Sequence, residues 1–150
     1  MQTSTRGYAQ MVTIATDTAA AWRACTDADW LRRWYAIDAS IEPRRGGRWR
    51  MRRRDGATCE AIIDVWDVGR RLRLIYLTPP SGVALADGSP IVDDLLFDVR
   101  GPEALVRVLG SGVPVSPDWD RHYVVLRQAW AYYLRELKRA LEEAPAESRA

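Results

Sequence analysis

The stretch from Ser116 to Glu143, SPDWDRHYVVLRQAWAYYLRELKRALEE, constrains this chain more than any other. Its apolar side chains fall at Tyr123, Leu126, Trp130, Tyr133, Leu134, Leu137 and Leu141, with gaps of 3, 4, 3, 1, 3 and 4. That spacing returns to one side of a helix at every turn and fits no strand, whose side chains alternate with a period of two. Arg127, Arg135, Glu136, Arg139 and Glu142 take the other sides. Ser116 stands where an N-cap belongs, Pro117 suits the first helical position, and Asp118 and Asp120 suit the positive end of the helix dipole. A stripe of this length needs an apolar surface to lie on. The residues before it read mostly as strands, so the expected arrangement is a curved sheet wrapped on one helix.

The chain in order supports this. Residues 8–16 alternate as a first strand. Thr16, Asp17 and Thr18 can cap a short helix anchored by Trp22, and Thr26 and Asp27 a second one carrying Trp30, Leu31 and Trp34. A strand near Ile37–Ile41 leads to a turn at Pro43, Gly46 and Gly47. In RWRMRRR, residues 48–54, Trp49 and Met51 point one way while Arg48, Arg50 and Arg52 point the other. Asp55-Gly56 is a hairpin signal. Residues 59–66 make the next strand, where adjacent Ile62 and Ile63 call for a bulge. In residues 71–77, Leu72, Leu74 and Tyr76 face inward. A long loop runs to about Pro90. Residues 91–100 follow, with Leu95, Phe97 and Val99 inward, and residues 104–112 form the last strand. Antiparallel strands with a segregated helix define an α+β domain.

Composition excludes several chemistries. His122 is the only histidine, and Cys25 and Cys59 share no CxxC or Cys/His spacing. The usual zinc sites and Ser-His or Cys-His catalysis therefore have almost no raw material, and the cysteines are expected to be free buried thiols. No metal or other cofactor is expected. A net charge of +2 is too small to imply nucleic acid. No apolar run reaches the ~18 residues of a membrane span, and the start lacks the layout of a signal peptide. A cytoplasmic location, without membrane or nucleic acid, is the expectation.

Five pieces carry a resemblance: AAAWRACTDADWLRRWYA, EPRRGGRWRMR, RRLRLIY, SGVPVSPDWD and AWAYYLRELKRAL, in that order over residues 8–143. Together they resemble the helix-grip fold of the START-like (SRPBCC) superfamily, and within it the group named for activators of the heat-shock-protein-90 ATPase. The resemblance implies that fold over a single domain, 1–150, which the length also suits, ordered from about 8 to 143, and the low-complexity tail at 144–150 is expected to be flexible. Its curved antiparallel sheet would have six to seven strands, with two short helices after the first. It further implies a cavity between helix and sheet lined by Trp34, Trp49, Met51, Tyr76, Phe97, Val106, Val108, Trp130, Tyr133 and Leu134. In one departure, many relatives carry a histidine just before the Ser-Gly near the end of the last strand. This chain has Gly110 there.

These features leave three functional readings. The first is non-catalytic binding of a small hydrophobic molecule in the helix–sheet cavity, the inner aromatics giving contact area and the loop at 78–90 acting as a gate. The competing interpretation of the same aromatics is a filled core. The second is a co-chaperone-like regulator whose protein partner docks on Arg48, Arg50 and Arg52, although Arg71, Arg73, Asp94 and Asp98 can neutralise part of that face by cross-strand pairing. The third is a cyclase or dehydratase acting on a polyketide-like substrate, which the poverty in histidine opposes. Asp93-Asp94 with Asp87 could be imagined as paired catalytic carboxylates, but a strand start beside a Pro/Gly loop is expected to be wet. His122 is expected at the surface. Trp119 is expected to staple the helix start or to rim the pocket. A monomer and a homodimer are both compatible with the sequence.

Overall fold

The computed structural model describes residues 4–78 and 90–144. The strands are β1 (Thr5–Ile14), β2 (Ala36–Ile41), β3 (Arg48–Arg53), β4 (Thr58–Asp67), β5 (Arg71–Thr78), β6 (Val92–Arg100) and β7 (Glu103–Pro114). Helices α1 (Thr18–Thr26) and α2 (Ala28–Trp34) follow β1, and α3 (Pro117–Glu143) is the last of the described elements. The strands form one antiparallel sheet in the order β1-β7-β6-β5-β4-β3-β2. This is the helix-grip architecture. The loop between β5 and β6, with Asp87 in it, and the tail after Ala144 lie outside the described residues.

Local chemistry explains the elements. Asp17 caps α1 by accepting from the Ala20 amide at 2.7 Å, and Asp27 caps α2 by accepting from Trp30 at 3.0 Å. Ser116 precedes α3 in extended conformation, but its side chain makes no cap bond. Pro117 and the two first-turn aspartates start that helix instead. On β3 the burial alternates strictly from Arg48 to Arg53. On β4 plain alternation through Cys59, Ala61 and Ile63 sends Ile63 fully inward and leaves Ile62 on the outer face, while the pairing with β5 slips between Glu60 and Ala61 and again between Ile63 and Val65. Val99, expected to face the core, is 76% exposed. It borders an open cleft with Thr18, Gly69, Arg70 and Phe97, where the end of β6 leaves the covered part of the sheet.

Helix α3 and strand β1 run side by side in the same direction. Arg6 pairs with Asp120 at 2.8 Å, the Tyr123 hydroxyl donates to Gly7 O at 2.6 Å, and Gln10 Nε2 donates to Arg127 O at 3.2 Å. Further on, Lys138 Nζ donates to Thr13 O at 2.8 Å and Glu142 accepts from the Ala15 amide at 2.9 Å. The two elements stay in step because their advances match. Arg6 to Ala15 spans ~30 Å at the strand rise, and Asp120 to Glu142 spans ~33 Å at the helix rise. Two carbonyls of this edge strand are thereby taken up, which blunts an edge that could otherwise recruit another chain.

The buried stripe of α3 is Trp119, Leu126, Trp130, Tyr133, Leu134, Leu137 and Leu141. It meets the inner faces of the strands, and each leucine buried there contributes roughly 1.5–3 kcal/mol. Outside, the arginines pair across strands. Glu60 takes both Arg48 and Arg50, Asp94 takes Arg71 and Arg73, and Asp98 takes Arg107. The hydrogen bonds from Arg48 and Arg50 hold the Glu60 carboxyl below the usual carboxylate range.

Candidate functional site

Period-two alternation on β6 sends Asp93, Leu95 and Phe97 to the same inner face. Asp93 is therefore inside the protein with no exposed surface, rather than wet as its place at a strand start suggests. Its neighbour Asp94 faces outward to the arginines. Three donors from three elements converge on the buried carboxylate. Tyr8 of β1 donates to Oδ1 at 2.5 Å, and Tyr76 of β5 donates to Oδ2 at 2.7 Å. The indole N–H of Trp130 on α3 donates to Oδ2 at 3.1 Å.

Glycines aim Tyr8 into this position. The β1–β7 register slips between Arg6 and Tyr8, and at Gly7 a Cβ would lie 2.4 Å from Gly110 O. Gly110 is opposite both Tyr8 and Asp93 in the sheet, and the Tyr8 ring covers its Cα. Where relatives are expected to carry a histidine, this chain thus has a glycine overlaid by tyrosine.

Burial disfavours the charged carboxylate and raises the Asp93 pKa, while its three hydrogen bonds oppose that rise. Burial and the adjacent carboxylate together push the Tyr8 and Tyr76 hydroxyls well above the ordinary phenol value. No lysine or arginine pairs with Asp93 among the described residues. A carboxylate has about four acceptor positions. Oδ2 uses two of them and Oδ1 one, so Oδ1 retains room for another donor.

From Trp130 a run of rings leads outward. Tyr35 stacks on Trp130 with centroids 5.8 Å apart at 13°, and meets Tyr133 edge-on at 4.8 Å and Trp34 at 5.3 Å. Tyr133 in turn touches Tyr132 at the surface, at 5.4 Å. Beside this run lies Arg53, the last inward residue of β3, only 7% exposed. Its Nη2 is 3.0 Å from Asp55 Oδ2. Burial opposes the guanidinium charge, and the proximity of Tyr35 and Asp55 sustains it. Cys59 is pushed up to about 11 by burial, and Cys25 rises further for the same reason. Both thiols are free and protonated at neutral pH.

All ten residues expected to line a cavity are buried. Tyr76 and Trp130 come together at Asp93, and Trp34 and Tyr133 reach the same cluster through Tyr35. Phe97 belongs to another group, edge-on to Trp22 at 5.4 Å, and Trp66 meets Trp22 edge-on at 5.0 Å. The Trp34 N–H donates to Ala24 O at 2.8 Å, whereas the Trp49 N–H is buried without a partner. Val106, Val108, Met51 and Leu134 are packed in the apolar core. Sequence reasoning passed over Tyr8, Tyr35, Arg53 and Asp93 as inner polar groups. Asp93 and Arg53 were legible, being two residues before Leu95 and two after Met51. His122 sits partly exposed against the Trp119 ring, at 5.6 Å, on the first turns of α3.

One open groove adjoins this interior. It measures about 420 Å³ and is lined by Arg54, Asp55, Val125, Gln128, Ala129, Tyr132 and Tyr133. Among the described residues, no three His, Cys, Asp or Glu side chains gather as a metal site would require. Among the same residues, no helix is long and apolar enough to cross a membrane.

A curved antiparallel sheet gripping one long helix, with two short helices after its first strand, defines a START-like helix-grip domain. The chain belongs to the family described as Activator of Hsp90 ATPase homolog 1-like protein, whose model matches residues 15–142. Solved structures agree on the fold. Protein MLL2253 from Mesorhizobium loti superposes with a TM-score of 0.78 at 17% identity, covering 93% of this chain and 99% of that one. The Aha1 dimer from Colwellia psychrerythraea gives 0.76 at 18% identity, covering 92% and 97%. DynU16, a putative protein in the dynemicin biosynthetic locus, gives 0.76 at 20% identity, covering 91% of this chain and 47% of that one. No curated protein sequence matches.

Proposed function

We propose that this protein binds a small, largely apolar molecule between α3 and the inner face of the sheet, without transforming it, and that Asp93 is the polar anchor. The observation that carries this reading is the buried carboxylate itself. A core needs no such group, and removing a carboxylate from water costs several kcal/mol that apolar packing would not incur. Trp49 adds a buried N–H with no acceptor. A guest offering one hydrogen-bond donor to Asp93 Oδ1 and one acceptor to Trp49 would satisfy both. Hydroxylated aromatic or polycyclic molecules have that character. The ten inward residues named from the sequence supply the apolar walls.

The core side chains are in mutual contact, so a guest has to part them. A ligand hydroxyl would take the remaining acceptor position on Asp93 Oδ1, beside the Tyr8 hydroxyl. A panel of lipids, sterols and hydroxylated aromatics, followed by tryptophan fluorescence and melting temperature, tests the proposal. Binding should be saturable and should weaken at least tenfold in Asp93→Asn for hydroxylated members. A panel without any response would retire the idea.

The family description favours a second reading, a protein-binding regulator, for which Arg48, Arg50 and Arg52 are the proposed docking residues. Arg48 and Arg50 are already engaged by Glu60, which leaves Arg52 the least committed of the three. Reversing all three to Glu and comparing captured partners discriminates the readings. Since the Colwellia Aha1 is a dimer, light scattering on the purified protein belongs in the same experiment.

A further inference from the structure

The geometry points to a second ligand site, on the outer flank of α3 at the β3–β4 hairpin, which takes a small aromatic carboxylate and uses Asp55 as an internal stand-in for the ligand's head group. It is independent of the interior reading. The groove of about 420 Å³ has an apolar wall made by Val125, Ala129, Tyr132 and Tyr133. Val125 and Tyr132, on one flank of the helix, are 47% and 46% exposed. One end of the groove is charged, by Arg54 and Asp55. Behind Asp55 stands Arg53, whose guanidinium is almost wholly buried and receives that carboxylate on two nitrogens, Nη2 at 3.0 Å and Nε at 3.4 Å.

That pairing matches the planar two-point fork with which arginine recognises carboxylates. Here the carboxylate belongs to the hairpin itself. Asp55 is half exposed and is steadied by the Ala57 amide, which it accepts at 2.9 Å. Arg54 does not compete for the site, because its guanidinium donates to the carbonyls of Arg32 and Arg33 at the end of α2. An arriving carboxylate would exchange with Asp55 at Arg53 and lay its ring along Tyr132 and Val125. The buried cation selects the charge, and the flank selects an aromatic body of one or two rings.

The test is calorimetric titration of the full chain with 2-naphthoate and, in parallel, with 2-naphthalenemethanol, which lacks the charge. Naphthoate is expected to bind and the alcohol to bind at least tenfold more weakly. Asp55→Asn keeps an acceptor for the Ala57 amide but withdraws the competing charge, so it should tighten naphthoate by about tenfold and leave the alcohol unchanged. Val125→Glu, at a half-exposed helix position that does not threaten folding, should abolish naphthoate binding. Asp93→Asn should leave it intact. Equal binding of acid and alcohol, or no gain in Asp55→Asn, would overturn the assignment. Loss of naphthoate binding in Asp93→Asn with none in Val125→Glu would place the ligand inside the domain and overturn it too.

Discussion

The Tyr8 ring occupies the space that a side chain on Gly110 would need: a Cβ there would lie 2.1 Å from Tyr8 Cζ. The glycine is thus what allows a tyrosine from the edge strand to cross its neighbour and reach Asp93. Gly110→Ala is expected to cost roughly 1–3 kcal/mol by overpacking. Because the loss comes from one contact, most of it should vanish in a Tyr8→Ala background. A double-mutant cycle in urea checks this, with additive single effects as the contrary result.

Asp93 has a raised pKa, so the folded state holds its proton to higher pH than the unfolded state does. The stability associated with this group is therefore greatest below the unfolded carboxylate pKa. It declines as pH rises towards the folded value and is constant above it. In Asp93→Asn that decline is absent. Denaturation of both proteins across the acidic range should show the native protein losing ground to the variant as pH rises. The opposite slope would mean that the three hydrogen bonds outweigh burial.

The helix starts differ in what holds them. Asp17 and Asp27 accept amide hydrogen bonds at α1 and α2, while the Ser116 side chain makes none at α3. Asp27→Ala is expected to cost about 0.5–2 kcal/mol, and Ser116→Ala only a few tenths. Melting curves of the two variants measure the contrast directly.

Neither thiol should react readily. Cys25 and Cys59 are buried, and Cys59 is pushed up to about 11, so little thiolate exists at pH 8. Labelling with a chromogenic disulfide should be slow in the native protein and complete for both residues in denaturant. Rapid native labelling of Cys59 would reveal an opening at the β3–β4 hairpin.

Most of the architecture was legible because two periods dominate this chain. The three-four spacing from Tyr123 to Leu141 forces a helix, and the alternation through Trp49, Met51 and Leu72, Leu74, Tyr76 forces half-buried strands. The same alternation places Asp93 and Arg53 inside, but their charge argues for water at the sequence level, and the donors that hold them are remote. Tyr8 lies 85 residues from Asp93 in the chain, and Trp130 lies 37 away. Pairings over such intervals depend on register, which no local pattern encodes. Val99 shows the converse: it keeps the period and yet lies in the open, because the sheet continues past its cover.

The parallel course of α3 and β1 bears on how the molecule comes into being. Its hydrogen bonds join residues 114 to 127 positions apart, and β1 pairs only with β7 in the sheet. During synthesis β1 must wait, without its sheet partner, until β7 and α3 have left the ribosome. Such distant closure slows acquisition of the native state. A chain cut short within its final turns would then lose far more than those turns.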